Sequence, residues 1–131
     1  DLAGKPEAVA WSAKENTPYV PSPVLSGGLL YYTKANDGFL TCAEAATGKL
    51  QYTNKLAGVQ TVFASPVAAG GRLYVPGKNG LTAVVKLGPQ FELLATNKLD
   101  DAVIASPAVA GNALFIRGDK SLYCIEGEGK K

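Results

Sequence analysis

The chain writes one phrase three times. Ser22-Pro23-Val24-Leu25-Ser26-Gly27-Gly28-Leu29-Leu30-Tyr31-Tyr32 returns as Ser65-Pro66-Val67-Ala68-Ala69-Gly70-Gly71-Arg72-Leu73-Tyr74-Val75. It returns again as Ser106-Pro107-Ala108-Val109-Ala110-Gly111-Asn112-Ala113-Leu114-Phe115-Ile116. The Ser-Pro pairs stand 43 and then 41 residues apart. A period of this size belongs to repeat architectures, in which each unit buries its apolar face only against its neighbours.

Within each unit the apolar residues alternate with period two and the breaks are hairpin breaks. In the first unit Tyr19 to Leu25 reads as a strand, Gly27-Gly28 as a tight turn and Leu29 to Thr33 as a second strand. Lys34 to Gly38 turns, because Asp37-Gly38 supplies the positive φ of a hairpin. Phe39 to Ala43 is a third strand, Ala46-Thr47-Gly48 a turn and Lys49 to Thr53 a fourth. The second unit uses Gly70-Gly71 and Asn79-Gly80 as turns, with Leu81 to Lys86 and Phe91 to Thr96 as its outer strands. The third gives Ile104 to Ala110, Ala113 to Arg117 and Ser121 to Ile125, and then Glu126 to Lys131 without a fourth strand. Four antiparallel strands per unit make one blade, so the expected fold is all-β: a β-propeller segment of about three four-stranded blades.

The expected organisation is a single segment, 1–131, with an orphan outer strand at about 7–13 and blades at 19–55, 62–98 and 103–126. The orphan, Glu7-Ala8-Val9-Ala10-Trp11-Ser12-Ala13, precedes the first Ser-Pro by the usual interval, and the last blade lacks its outer strand. Three blades do not close a ring, since propellers run to about 4–8. Open end blades expose sheet edges and apolar faces. The expectation is therefore a piece of a longer propeller, or an oligomer that builds the ring between chains, two copies giving six blades.

Composition narrows the function classes. Of 131 residues 47% are hydrophobic and 18% charged, an ordered globular balance. Net charge is only +2, with no basic block to follow a phosphate backbone, which argues against nucleic acid. No apolar stretch approaches the roughly 20 residues of a membrane helix. The absence of Met points to a processed mature chain or an excised piece, and no signal-peptide core is present. Cys42 and Cys124 fall at equivalent places two blades apart. That is too far to bridge, because a disulfide needs Cα atoms within about 7 Å. Both read as small buried hydrophobes, and their redox state and compartment stay open.

The stretch Cys42-Ala43-Glu44-Ala45-Ala46-Thr47-Gly48-Lys49-Leu50-Gln51-Tyr52 resembles the blade-stacking motif Ala-x-Asp-x-x-Thr-Gly-x-x-x-Trp of the quinoprotein-like propeller family, the PQQ-like repeats. Thr47 and Gly48 match, while Cys42, Glu44 and Tyr52 are substitutions of similar character. The resemblance extends from Trp11 to Glu126. It is nearest to the C-terminal blades of secreted members and more distant from BamB-type scaffold lipoproteins. It implies blade-docking roles for Trp11, Thr47, Gly48 and Tyr52, with the glycine letting a neighbouring aromatic lie on bare backbone. The second and third repeats lack the motif.

The resemblance also raises the quinone cofactor, which the family's dehydrogenases hold with a vicinal Cys-Cys ring, a Ca²⁺ bound by Glu, Asn and Asp, and a catalytic Asp. This chain has no adjacent cysteines, and Asp100-Asp101 is its only paired carboxylate. Adjacent residues on an extended segment point apart, so the pair reads as a polar connection between blades. With no His, zinc triads and Ser-His or Cys-His catalysis are removed. Arg117-Gly118-Asp119 spells an integrin-recognition tripeptide and reads as coincidence at a strand turn. No catalytic, cofactor-binding or metal-ligating residue is assigned. PQQ and calcium enter only if the chain belongs to a larger quinoprotein.

Function is expected on loops held by a rigid scaffold. In a propeller the connections between blades share a face with the turns between second and third strands. Here that candidate interaction face collects Thr17, Tyr19, Phe63, Asp100, Asp101 and Arg117. The expected function is a non-enzymatic, extracytoplasmic protein-interaction scaffold, secreted or periplasmic. Its partner is another protein or the missing blades, with a homo-oligomer as one form. The alternatives are a fragment of a quinone-dependent dehydrogenase with its catalytic residues on other blades, or a propeller binding carbohydrate or another small ligand.

Overall fold

The computed structural model describes residues 4–34 and 37–127. They form eleven strands in three antiparallel sheets of consecutive strands. Blade one comprises β1 (Val24–Ser26), β2 (Leu29–Lys34), β3 (Phe39–Glu44) and β4 (Leu50–Lys55). Blade two comprises β5 (Val67–Ala69), β6 (Arg72–Pro76), β7 (Leu81–Lys86) and β8 (Leu93–Lys98). Blade three holds β9 (Ala108–Ala110), β10 (Ala113–Arg117) and β11 (Leu122–Glu126). The fold is all-β, and each Gly-Gly refrain turns with positive φ, 57° and 76° at Gly27 and Gly28, which splices the inner strand tightly to the next. Ala35 and Asn36 of the expected 34–38 turn, and residues 128–131, lie outside the described residues.

Four boundaries differ from the sequence reading, for physical reasons. The inner strands are three residues long, not the seven of Tyr19–Leu25 or Ile104–Ala110. Pairing starts only after the refrain's proline, which has no N–H to give to a ladder. The fourth strands begin later than Lys49 and Phe91, because a bulge between Cys42 and Ala43, matched between Val84 and Val85, shifts their register. In blade three Ser121 leaves the expected strand and gives its N–H to Asp101 at 3.1 Å. The expected orphan strand 7–13 is not a strand. Pro6–Ala8 form a single 3-10 turn and residues 9–13 join no ladder. A strand is defined by its partner, and none of the described sheets offers one there.

Neighbouring blades approach at their inner strands, β1 to β5 and β5 to β9. The refrain's serines make the joint. The Ser22 N–H donates to Ser65 Oγ at 2.8 Å, and the Ser65 N–H donates to Ser106 Oγ at 2.9 Å. Between blades one and two lies the core, with Tyr31, Leu40, Leu56, Leu73, Val75 and Val85 almost wholly buried. The joint between blades two and three is looser. There Thr82 and Ala95 hold the ladder positions that Leu40 and Tyr52 hold in blade one. The smaller side chains leave a cleft of about 540 Å³, lined in part by Tyr74, Thr82, Leu114 and Ile116.

Candidate interaction face

Two connectors carry the chain from blade to blade, residues 56–66 and 99–107. Backbone hydrogen bonds tie each to the β-turns on either side. The Leu56 N–H donates to the Gly38 carbonyl at 2.8 Å in blade one. In blade two the Lys78 N–H reaches the carbonyls of Gln60 (3.1 Å) and Thr61 (2.8 Å). Asn79 works in both directions, donating from Nδ2 to the Gly58 carbonyl at 2.8 Å and accepting at Oδ1 from the Gln60 N–H at 3.4 Å. The second connector continues the row: the Val103 N–H meets the Lys78 carbonyl at 3.2 Å, and the Asp119 N–H meets the Ala102 carbonyl at 3.0 Å. Turns and connectors thus alternate along one face, with every blade stitched to the next.

Two close approaches explain glycines in this row. A Cβ on Gly80 would collide with the Leu99 carbonyl oxygen, and one on Gly38 with that of Val59. Thr61 is held at φ 49°, the left-handed region that a β-branched residue rarely occupies. Its carbonyl accepts from the Lys78 N–H together with that of Gln60, so the conformation belongs to the stitching.

Asp100 and Asp101 have opposite fates. Asp100 is exposed, whereas Asp101 is only 7% exposed. The Asp101 carboxylate accepts from the N–H groups of Lys120 (3.0 Å) and Ser121 (3.1 Å) and from the Tyr123 hydroxyl (3.1 Å). Burial pushes its pKa up, but these bonds and one from the Ala102 N–H outweigh it and hold the carboxyl below its ordinary value. Asp101 is therefore a brace for the β10–β11 turn. The two acids share a shallow depression of about 310 Å³ with Lys78, Lys98, Asp119 and Lys120, a mixed-charge surface.

Of the other expected face residues, Phe63 is half-buried with the Lys78 ammonium 5.8 Å from its ring centre. Thr17 is exposed and Tyr19 is 82% exposed on the segment before blade one. Arg117 is exposed at the end of β10 and does not line the depression, nor do Thr17 and Tyr19.

Of the four docking candidates, Trp11 and Gly48 touch, Thr47 lies beside Gly48 in the turn, and Tyr52 packs elsewhere. Trp11 lies on Gly48, where an added Cβ would sit 2.7 Å from the indole, and its Nε1–H donates to the Ala45 carbonyl at 2.9 Å. Gly48 itself turns at φ 73°. Thr47 bonds through Oγ1 to the Glu44 carboxylate and accepts there from the Lys49 N–H at 3.1 Å. The Tyr52 ring meets Phe91 edge-on, centres 5.5 Å apart, and burial pushes its hydroxyl pKa well up.

The cysteines differ. Cys42 is buried, as read, and burial raises its thiol pKa, whereas Cys124 is exposed rather than buried. Cys124 shares the ladder place of Cys42, but among the described residues no further blade covers it. Among the described residues no three His, Cys, Asp or Glu side chains gather where a metal could sit. The chain has no adjacent cysteines. Nor is any described helix long and apolar enough to cross a membrane.

The sequence reading missed two participants, and it named Asp101 without its bracing role. Asn79 was legible only as half of an Asn-Gly turn, and the Asp101 brace has no sequence signal beyond an acid shortly before a refrain. The serine hydroxyls were in plain view, since they open each refrain, but their bonds run between units and periodicity reports only position.

The model for the family described as outer membrane protein assembly factor BamB matches residues 4–87. The chain belongs to this family of PQQ-like β-propeller proteins. Among solved structures, BamB from Moraxella catarrhalis is 13% identical with a TM-score of 0.56, covering 78% of this chain and 41% of that one. A europium-containing methanol dehydrogenase is 14% identical with a TM-score of 0.64, covering 83% of this chain and 22% of that one. At such identities the likeness is one of fold, and this BamB-family chain spans less than half the length of either structure. No curated protein matches it in sequence.

Proposed function

We propose that this BamB-family segment is a non-enzymatic protein-interaction scaffold that works outside the cytoplasm, with its connector face meeting the partner. The observation that carries the reading is the family match over residues 4–87, to a family described as an assembly factor of the outer membrane. The geometry supports it. The face's backbone is fixed by the turn–connector bonds, so Phe63, Lys78, Asp100 and Lys120 are offered from a rigid base at little ordering cost. Its paired signs of charge suit a polar protein rim better than a phosphate chain. In this reading Trp11, Thr47, Gly48 and Tyr52 dock blades and do not touch the partner.

The test is capture of a defined partner. The immobilised chain is challenged with periplasmic extract and compared with a face variant carrying Asp100→Lys and Lys120→Glu. The expected result is a protein held by the native face and lost with the variant. Equal capture by both, or none by either, overturns the scaffold. A parallel sample mixed with quinone and Ca²⁺ is assayed for dye reduction, and turnover there would favour the dehydrogenase reading instead.

A further inference from the structure

The two joints between blades are built from matching ladder positions. In the first, Tyr31, Leu40 and Cys42 of blade one meet Leu73, Val75 and Val85 of blade two, all almost wholly buried. The ladders carry these places forward, to Tyr74, Thr82 and Val84 on blade two and to Leu114 and Ile116 on blade three. The second joint is the one that holds the cleft of about 540 Å³. Its most telling change is a hydroxyl, at Thr82, where the first joint has the isobutyl group of Leu40.

Thr82 is only 5% exposed, and among the described residues its hydroxyl is buried without a hydrogen-bond partner. A polar group buried in this way is costly and uncommon. Blade one shows the two usual remedies. Leu40 fills the equivalent place with a side chain that needs no partner, and the buried Thr41 pairs its hydroxyl with Thr53 Oγ1 at 3.1 Å. Thr82 has neither, and it lines the cleft. Asn97 stands opposite it on β8 and lines the same space, so a hydroxyl and a carboxamide share the polar end.

The walls beyond that end are apolar, formed by the Tyr74 ring, Leu114 and Ile116. Tyr74, Thr82, Leu114 and Ile116 stand on β6, β7 and β10, each of which has a paired strand on both sides in its own sheet. An apolar cleft of this size with a few convergent polar groups is the usual form of a small-molecule site.

We infer that this cleft binds a small phenol, whose hydroxyl pairs with Thr82 Oγ1 and whose ring lies between Tyr74 and the wall of Leu114 and Ile116. The ring follows from the apolar walls and the aromatic face at Tyr74. The single neutral hydroxyl follows from Thr82, which donates or accepts but brings no charge to balance a buried ion. A sugar fits less well, because its many hydroxyls would face Leu114 and Ile116 unpaired. The site lies between blades and does not depend on the scaffold reading.

The probe is 4-methylphenol, titrated into the native chain and followed by amide NMR shifts, with toluene as the same ring without the hydroxyl. The phenol saturates with a Kd of about 1 mM or tighter, and the amides of Tyr74, Thr82, Leu114 and Ile116 move together. Toluene binds about two- to tenfold more weakly, the loss of one net hydrogen bond. The comparison discriminates, since a hydroxyl buried without a partner would make the phenol the weaker ligand. Thr82→Val keeps the shape without the hydroxyl and turns the preference toward toluene. Thr82→Leu restores the side chain of the first joint and weakens both probes, with a melting temperature no lower than that of the native chain. No saturable shift by ~10 mM 4-methylphenol, toluene bound as tightly as the phenol, or a preference for the phenol that survives Thr82→Val overturns the inference.

Discussion

Asp101 shows how one side chain turns a loop into a fixed surface. Its carboxylate gathers two backbone N–H groups from the β10–β11 turn and the Tyr123 hydroxyl from β11, and these bonds favour the charged form. Because its folded pKa lies below the ordinary value of 3.8, its contribution is fully present above that value and is lost as pH falls below it, through the folded pKa. Asp101→Asn, which cannot carry the charge, is expected to melt lower than the native chain at pH 7. The gap should narrow as pH drops below about 4, and thermal melts across pH 2–7 read it. Gly48 makes a second residue-scale case. Gly48→Ala forces a side chain into a φ of 73° and against the Trp11 indole. The left-handed backbone alone costs about 1–2 kcal/mol, so denaturant unfolding should show at least that loss. Trp11 fluorescence should shift to the red as the indole is pushed toward water.

At the scale of the element, the blade was legible and its joints were not. Leu81–Lys86 and Ala113–Arg117 were read with their true ends, because alternation and a Gly-bearing turn bracket each of them. The inner strands were read too long, since Tyr19–Leu25 alternates well but its prolines, Pro21 and Pro23, withhold the ladder's donors. The fourth strands slipped because a bulge leaves no mark in composition. The face was legible as loops, but the divergence of Asp100 and Asp101 depends on a turn nineteen residues onward, at Lys120. The serine rungs suffer from the same distance. They have a direct test. Ser65→Ala removes a hydroxyl that accepts from Ser22 and leaves that N–H without its partner, at about 0.5–1.5 kcal/mol. Chemical denaturation should show that loss for Ser65→Ala and almost none for Ser22→Ala.

For the whole molecule, the decisive property is direction. Three blades are joined in a row by the same atom pair, N–H to Oγ, used each time in the same sense. Equivalent side chains differ along the row: Pro66, Pro107 and Cys42 are buried, whereas Pro23 and Cys124 are exposed. The row also separates what the family supplies from what this chain adds. Membership brings the propeller, whereas the contact of Trp11 with Gly48 and the serine row are seen in the geometry of this chain. The most direct check is residue-resolved amide hydrogen exchange at Ser22, Ser65 and Ser106 in dilute solution. The account predicts protected amides at Ser22 and Ser65 and rapid exchange at Ser106, whose donor has no acceptor among the described residues. Three serine amides exchanging alike, or Ser106 the slowest, would contradict it.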